Sequence, residues 1–281
     1  MIDNINWYPG HMKKTRELIQ ENLKLVDAVV EVIDARIPVS SRNPVIDDVL
    51  KDKKRVVILN KSDLADGREN KKWAAAIEKS GHSVVQMNCV TGAGIPKLLK
   101  LFDILQAEKS SGQSGRKPLR VMIVGVPNVG KSSMINRLAG RKSAKTGDRP
   151  GITRGKQWIS LEGGAQLLDT PGILWPKFED RKTGLYLAFC GSIKDEILDR
   201  ETLALELTAV LQDRYPGLLK ERYRLEEVDE SPIRNMESIA EKRGFLLPGK
   251  RIDYDRAART LLDEFRSGLM GRVTLESNDG V

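Results

Sequence analysis

Leu119-Arg-Val-Met-Ile-Val-Gly125-Val-Pro-Asn-Val-Gly130-Lys131-Ser132-Ser133 decides the fold. An apolar, β-branched run feeds a loop of the form Gly-x4-Gly-Lys-Ser, and a helical pattern follows at 133–138. Strand, glycine loop and helix in that order make a phosphate cradle. The glycines let backbone N–H groups curl around an anion, and the helix N-terminus adds its positive end. In such a loop Asn128, Val129, Gly130 and Ser133 line the phosphates. Lys131 reaches the β- and γ-phosphates, and the Ser132 hydroxyl is a magnesium ligand.

Working outward, short β-branched runs fall at 29–34, 55–60, 83–89, 119–125, 157–161 and 165–169, with helical patterns at 68–79 and 95–107. Apolar strands separated by helices predict an α/β fold with a mostly parallel, six-stranded sheet covered on both faces. Asp169-Thr-Pro-Gly172 ends the last strand, where an acid can hold magnesium through water and Gly172 can offer its N–H to a γ-phosphate. Thr153, in Pro150-Gly-Ile-Thr153, is placed to complete the magnesium shell. Asn60-Lys61-Ser62-Asp63 ends the second strand. A carboxylate at Asp63 accepts both N1–H and the 2-amino group of guanine, a donor pair that adenine lacks. Asn60 would reach N7 and tether the phosphate loop, while the Lys61 stem lies along the base. Asn88-Cys89-Val90 closes the third strand, where a backbone N–H could meet the guanine O6.

Composition narrows the class. The 281 residues carry 47 Lys and Arg against 39 acids, net +8. Residues 178–281 hold 17 basic and 21 acidic side chains, so the excess lies in 1–177 with 30 and 18. A basic first part suits a polyanion such as RNA, and equally a merely soluble surface. Two cysteines, Cys89 and Cys190, exclude a disulfide scaffold and point to a reducing cytoplasm. No secretion signal is read at the N-terminus, and the longest apolar runs are too short to span a bilayer. Residues 108–118 read as a flexible linker. From about 178 strand-like runs give way to amphipathic stretches at 184–193, 200–215, 233–243 and 254–270, a C-terminal all-helical domain with a polar, frayed tail from Thr274. Within it Arg256, Arg259 and Arg266 share a helical face and would meet RNA phosphates or, with Asp263, form an internal ion-pair network.

The order of the motifs is unusual, because the base-selecting strands precede the phosphate loop. The chain resembles the circularly permuted GTPases, with 108–118 joining what are ordinarily two chain ends. Asn6-Trp7-Tyr8-Pro9-Gly10-His11-Met12, Asp34-Ala-Arg36-Ile-Pro38 and the motifs above resemble the ribosome biogenesis GTPase A family across the first two thirds, and Tyr254-Asp-Arg-Ala-Ala258 is similar to its C-terminal RNA-binding domain. The resemblance implies a GTPase domain at 1–177, with an N-terminal segment and helix at 1–27, and a helical RNA-binding domain at 178–281. It implies GTP and GDP as ligands, Mg2+ as cofactor, and late assembly of the large (50S) ribosomal subunit on ribosomal RNA in the cytoplasm. Where many GTPases show Ser-Ala-Lys, this chain has Asn88-Cys89-Val90. Ile173 stands where Ras-type enzymes place a water-orienting Gln. The resemblance nominates His11 for that role, the other reading being a histidine packed beside Trp7 and Tyr8. In related GTPases an Asn at the position of Asn128 ligates K+, and the other reading is a loop brace. A nucleotide-gated RNA scaffold with incidental hydrolysis is the alternative function.

Overall fold

The computed structural model describes residues 12–44, 50, 53–110, 117–140, 157–161, 163–169, 180–193 and 199–278. Helix α1 (Met12–Leu23) leads into β1 (Ala28–Asp34). Then come β2 (Lys54–Asn60), α2 (Gly67–Lys79), β3 (Ser83–Gln86), α3 (Ile95–Ser110), β4 (Arg120–Val124), α4 (Lys131–Leu138), β5 (Gln157–Ser160) and β6 (Gln166–Asp169). The sheet order is β3-β2-β1-β4-β6-β5, parallel except for the β5–β6 edge pair. Every residue of central β1 is buried. Val29, Met122, Val124 and Leu168 pack with Ile19 and Leu23 of α1, whereas Val30, Val32, Ile58 and Val121 share the core that holds Leu98 and Phe102 of α3. Parallel strands with both faces covered gather their carboxyl ends at one edge, where an open α/β sheet binds its ligand.

Two local readings are corrected. The third strand stops at Gln86, short of the expected 89. The Asn88 side chain accepts the N–H groups of Val90 (2.8 Å) and Thr91 (3.0 Å), and this turn competes with the sheet ladder. Helix α3 also runs into the expected 108–118 linker as far as Ser110. Lys109 Nζ donates to Asp27 Oδ2 (2.7 Å) and Pro118 O (2.8 Å), while Gln106 bonds Lys117 O (2.8 Å) and the Leu119 N–H (2.6 Å). These bonds hold together the two chain ends that the connection joins.

Beyond Asp180 lie α5 (Arg181–Phe189), α6 (Arg200–Arg214), α7 (Pro216–Tyr223), α8 (Pro232–Arg243) and α9 (Tyr254–Ser267). Asp180, Asp199 and Asp253 accept first-turn N–H groups of α5, α6 and α9, as N-caps do. Pro216 begins α7, a helix that the sequence marks only as a break, because proline suits a helix's first turn. A two-residue antiparallel ladder, β7 (Leu246–Leu247) with β8 (Arg251–Ile252), separates α8 from α9, so this region is not purely helical. The apolar cluster of the sheet continues through Leu187, Phe189, Leu207 and Leu261, leaving one core under both regions.

The expected frayed tail is instead a strap. Thr274 and Leu275 are fully buried. Val273 N donates to Leu64 O (2.9 Å) and Leu275 N to Arg36 O (2.7 Å). The Glu276 carboxylate accepts from Val39 N (2.5 Å), Ser40 N (3.0 Å) and the Ser40 hydroxyl. Arg214 and Tyr215 of the helical region bind the same segment at Leu275 O and Thr274 O. Polar composition hid this because the polar groups bond backbone rather than water. Leu275→Ala is expected to cost about 2–5 kcal/mol in urea unfolding, as a buried core truncation does. A frayed residue would change stability by no more than about 0.5 kcal/mol.

Candidate active site

The loop between β4 and α4 and the turn after β2 meet at the carboxyl edge of the sheet. Asn60, the last residue of β2 and 3% exposed, bridges them. Its Nδ2 donates to Val129 O (2.6 Å), and its Oδ1 accepts the Cys89 N–H (3.0 Å). One amide thus holds the phosphate loop and the third-strand turn together. The approach requires glycine at 130, since a Cβ there would lie 2.2 Å from Asn60 Nδ2 and the residue has φ 102°. Gly125 is similarly forced, with a Cβ falling 2.3 Å from Val32 O.

Lys131 is buried, and its ammonium donates to Gly125 O (3.0 Å) and Val126 O (2.9 Å), inside the loop's own curl. Ser132 and Ser133 are half-exposed in the first turn of α4, beside the N-terminus that favours anions. Asn128 is exposed with φ 59°, and its Nδ2 donates to Gly191 O (2.7 Å). Asp63 is exposed beyond the turn. The Cys89 N–H serves Asn60, and those of Val90 and Thr91 serve Asn88. The donors expected to meet guanine O6 are therefore engaged within the loop. Burial pushes the Cys89 and Cys190 thiols up to about 12, so both are neutral near pH 7.

Asp169 ends β6 and stands opposite Ile123 of β4, two residues before the loop glycine. The backbone thus brings Asp169 and Ser132 to the same edge, and a carboxylate with a hydroxyl is the hard-oxygen donor set that Mg2+ takes. His11, Thr153, Gly172 and Ile173 lie outside the described residues.

A buried ion pair underlies this edge and was not assigned a role from sequence. Arg36 Nε and Nη2 donate to Asp34 Oδ1 (3.0 Å) and Oδ2 (2.8 Å), and Lys61 Nζ lies 2.9 Å from Oδ2. Asp34 and Arg36 are each about 1% exposed or less. Burial alone would raise the Asp34 pKa, but Arg36 and Lys61 together hold it well below the usual carboxylate range. Arg36 also donates to Phe265 O (3.2 Å) and sits 5.0 Å over the Phe265 ring, tying the end of β1, and through Asp34 and Lys61 the turn after β2, to α9.

With this geometry in view, the comparisons are decisive. A ribosome biogenesis GTPase A of Bacillus cereus is 46% identical over 277 residues, covering 97% of this chain and 94% of its own. The chain belongs to the ribosome biogenesis GTPase A family. The profile of a family described as 50S ribosome-binding GTPase matches residues 120–239, and that of RsgA GTPase matches 49–179. Two solved structures share the fold. GDP-bound YlqF is 31% identical with TM-score 0.69, covering 94% of this chain and all of its own. GNP-bound YlqF from T. maritima is 30% identical with TM-score 0.68, covering 95% of this chain and all of its own.

The fold is that of a circularly permuted GTPase, and this member binds and hydrolyses GTP. The family works with a divalent metal, typically Mg2+. Among the described residues no helix is long and apolar enough to cross a membrane.

Of the arginines expected to face RNA, Arg256 and Arg259 are exposed and Arg266 is half-buried, each with a partner inside the helical region. Arg266 bonds Phe189 O (3.0 Å) and Ala188 O (2.9 Å), Arg259 pairs with Asp255, and Arg256 lies 4.6 Å over the Phe245 ring. Lys250 and Arg251 remain exposed at the β7–β8 turn.

Arg36→Met should lower stability by about 3–5 kcal/mol, because it leaves Asp34 buried with only Lys61. Since the folded pKa of Asp34 is depressed, its stabilisation is present above the unfolded value of 3.8 and is lost as pH falls below it. Urea midpoints measured on the acid side of pH 4 should accordingly fall less steeply in the variant than in the parent.

Proposed function

We propose that this GTPase acts in the cytoplasm on the large (50S) ribosomal subunit or its late precursor, releasing it when GTP is hydrolysed. The observation that carries the reading is the Asn60 bridge, which joins a guanine-selecting turn to a phosphate loop at one edge of the sheet. Similarity to a ribosome biogenesis GTPase A and to a family described as 50S ribosome-binding GTPase supports this choice of partner. Ribosomal RNA is engaged through the helical region of 178–281, with exposed Lys250 and Arg251 as phosphate contacts. The N-terminal 1–177 is assigned as the catalytic domain.

In this mechanism Asp63 accepts N1–H and the amino group of guanine, with Asn60, Lys61, Asn88 and Cys89 shaping the pocket. Asn128, Val129, Gly130 and Ser133 seat the phosphates, and Lys131 neutralises charge that builds toward the β–γ bridge. Ser132, Asp169 and Thr153 would hold Mg2+, which would supply positive charge to offset that building on the phosphates. Gly172 donates its N–H to the γ-phosphate. We assign K+ as a second cation on the Asn128 amide oxygen, the Nδ2 being committed to Gly191 O. Water attacks the γ-phosphorus, the bond to the β–γ bridging oxygen breaks, and GDP and inorganic phosphate leave.

His11 is assigned to orient that water. Helix α1 begins at Met12 and packs on the sheet through Ile19 and Leu23. A short connection joins Leu23 to Ala28 of β1. In single-turnover assays saturated with purified large subunits, His11→Ala should bind GTP and the subunit normally but lose roughly 10²–10⁴-fold in rate. Parent turnover that fails to rise on adding subunits would favour a nucleotide-gated RNA scaffold with incidental hydrolysis.

Asp63→Asn removes the anionic acceptor and leaves guanine's two donors poorly matched. Direct titration should show GTP and GDP affinity falling markedly and selectivity over xanthine nucleotides narrowing or reversing. Unchanged GTP affinity would remove this turn from the site.

A further inference from the structure

The phosphate loop does not rest on the sheet alone. Ser192, 2% exposed, donates its hydroxyl to Pro127 O at 2.9 Å, and Gly191 O accepts from Asn128 Nδ2 at 2.7 Å. Two consecutive residues just past α5 thus hold two consecutive residues of the loop. One of the loop pair, Asn128, has φ 59°, a left-handed conformation that a non-glycine residue keeps only when its surroundings favour it.

That seat is itself fixed. Gly191 N donates to Ala188 O (3.0 Å) and Ser192 N to Leu187 O (2.8 Å), closing the end of α5. Arg266 reaches from the end of α9 to the Ala188 and Phe189 carbonyls, and a Cβ at Gly191 would come within 3.6 Å of its Nε. The carbonyls of Phe265 and Arg266 in turn accept Arg36, which holds Asp34 beside Lys61. The two halves of the nucleotide site are therefore connected twice, directly through Asn60 and indirectly through the ends of α5 and α9.

We propose that Ser192 is a positioning residue for the phosphate loop, and that Arg266 acts one step behind it by holding the Gly191–Ser192 seat. Occupancy of the loop by the β-phosphate and the placement of the helical region are then linked through this contact. The proposal rests on the phosphate-loop reading above. Its physical content is that the loop is preorganised by hydrogen bonds from outside its own domain, so loosening the seat speeds nucleotide release without unfolding the protein.

The test uses the full chain, a fluorescent GDP and stopped-flow release. Ser192→Ala deletes one hydrogen bond to the loop and should accelerate GDP release roughly 2–10-fold. The melting temperature of the nucleotide-free protein should stay within about 2 °C of the parent, the shift that a loss of about 1 kcal/mol produces in a chain of this size. Arg266→Gln should act in the same direction, and the double variant should release GDP no faster than the faster single variant, because both act on one seat. Release at the parent rate in both single variants overturns the proposal. So does a fall in nucleotide-free melting temperature with no change in release, which is what packing between two regions alone would produce. Lys131→Ala, run alongside, separates the layers. If it binds GDP as the parent does, the phosphate-loop reading fails and takes this proposal with it. If it loses GDP while Ser192→Ala behaves as the parent, only the seat fails.

Discussion

A carboxylate and a guanidinium buried side by side, Asp34 and Arg36, set the terms for everything built at the carboxyl edge of the sheet. Two charges removed from water are tolerated only when nearly every polar atom finds a partner. Here Asp34 accepts from Arg36 Nε and Nη2, from the Arg36 backbone and from Lys61, while Arg36 donates onward to the last carbonyls of α9. The arrangement fixes the turn after β1, steers the Lys61 head away from solvent and requires the end of α9 to be present. The turn at Asn60–Asp63 depends, through Lys61 and Asp34, on a helix more than two hundred residues away, so it is not a purely local motif.

The same logic explains why the two regions share one core. Leu187 and Phe189 of α5 belong to the cluster that contains Val32 and Val126 of the sheet, and the 273–278 strap bonds to both sides. An interface of this kind resists the independent motion expected of two domains joined by a flexible connection.

The electrostatic pattern also changes meaning in three dimensions. The helical region is rich in arginine, yet Arg222 and Arg243 pair with Glu264, Arg200 and Arg259 with Asp255, and Arg266 with backbone. Helical spacing can say which residues share a face, but not whether a partner from another helix already occupies that face. Exposed basic side chains of this region include Lys220, Arg224, Arg256 and Arg259 as well as Lys250 and Arg251.

Much was determined by sequence alone. Six β-branched runs, the Gly-x4-Gly-Lys-Ser loop and the displaced Asn60–Asp63 turn specified a permuted α/β GTPase, because these patterns reflect local backbone needs and alternating burial, which a chain carries wherever it folds. The Asn60 tether was also legible, since an amide at that strand end has few other uses. The end of β3 was not, because Asn88 competes for its own backbone, nor was the extent of α3, which depends on Asp27, far away in the chain, as well as on nearby Pro118. Least legible were Arg36, Ser192 and the 273–278 strap. Their polar character reads as surface in a sequence, and only the tertiary structure decides that buried partners, contributed by segments distant in the chain, make them part of the interior.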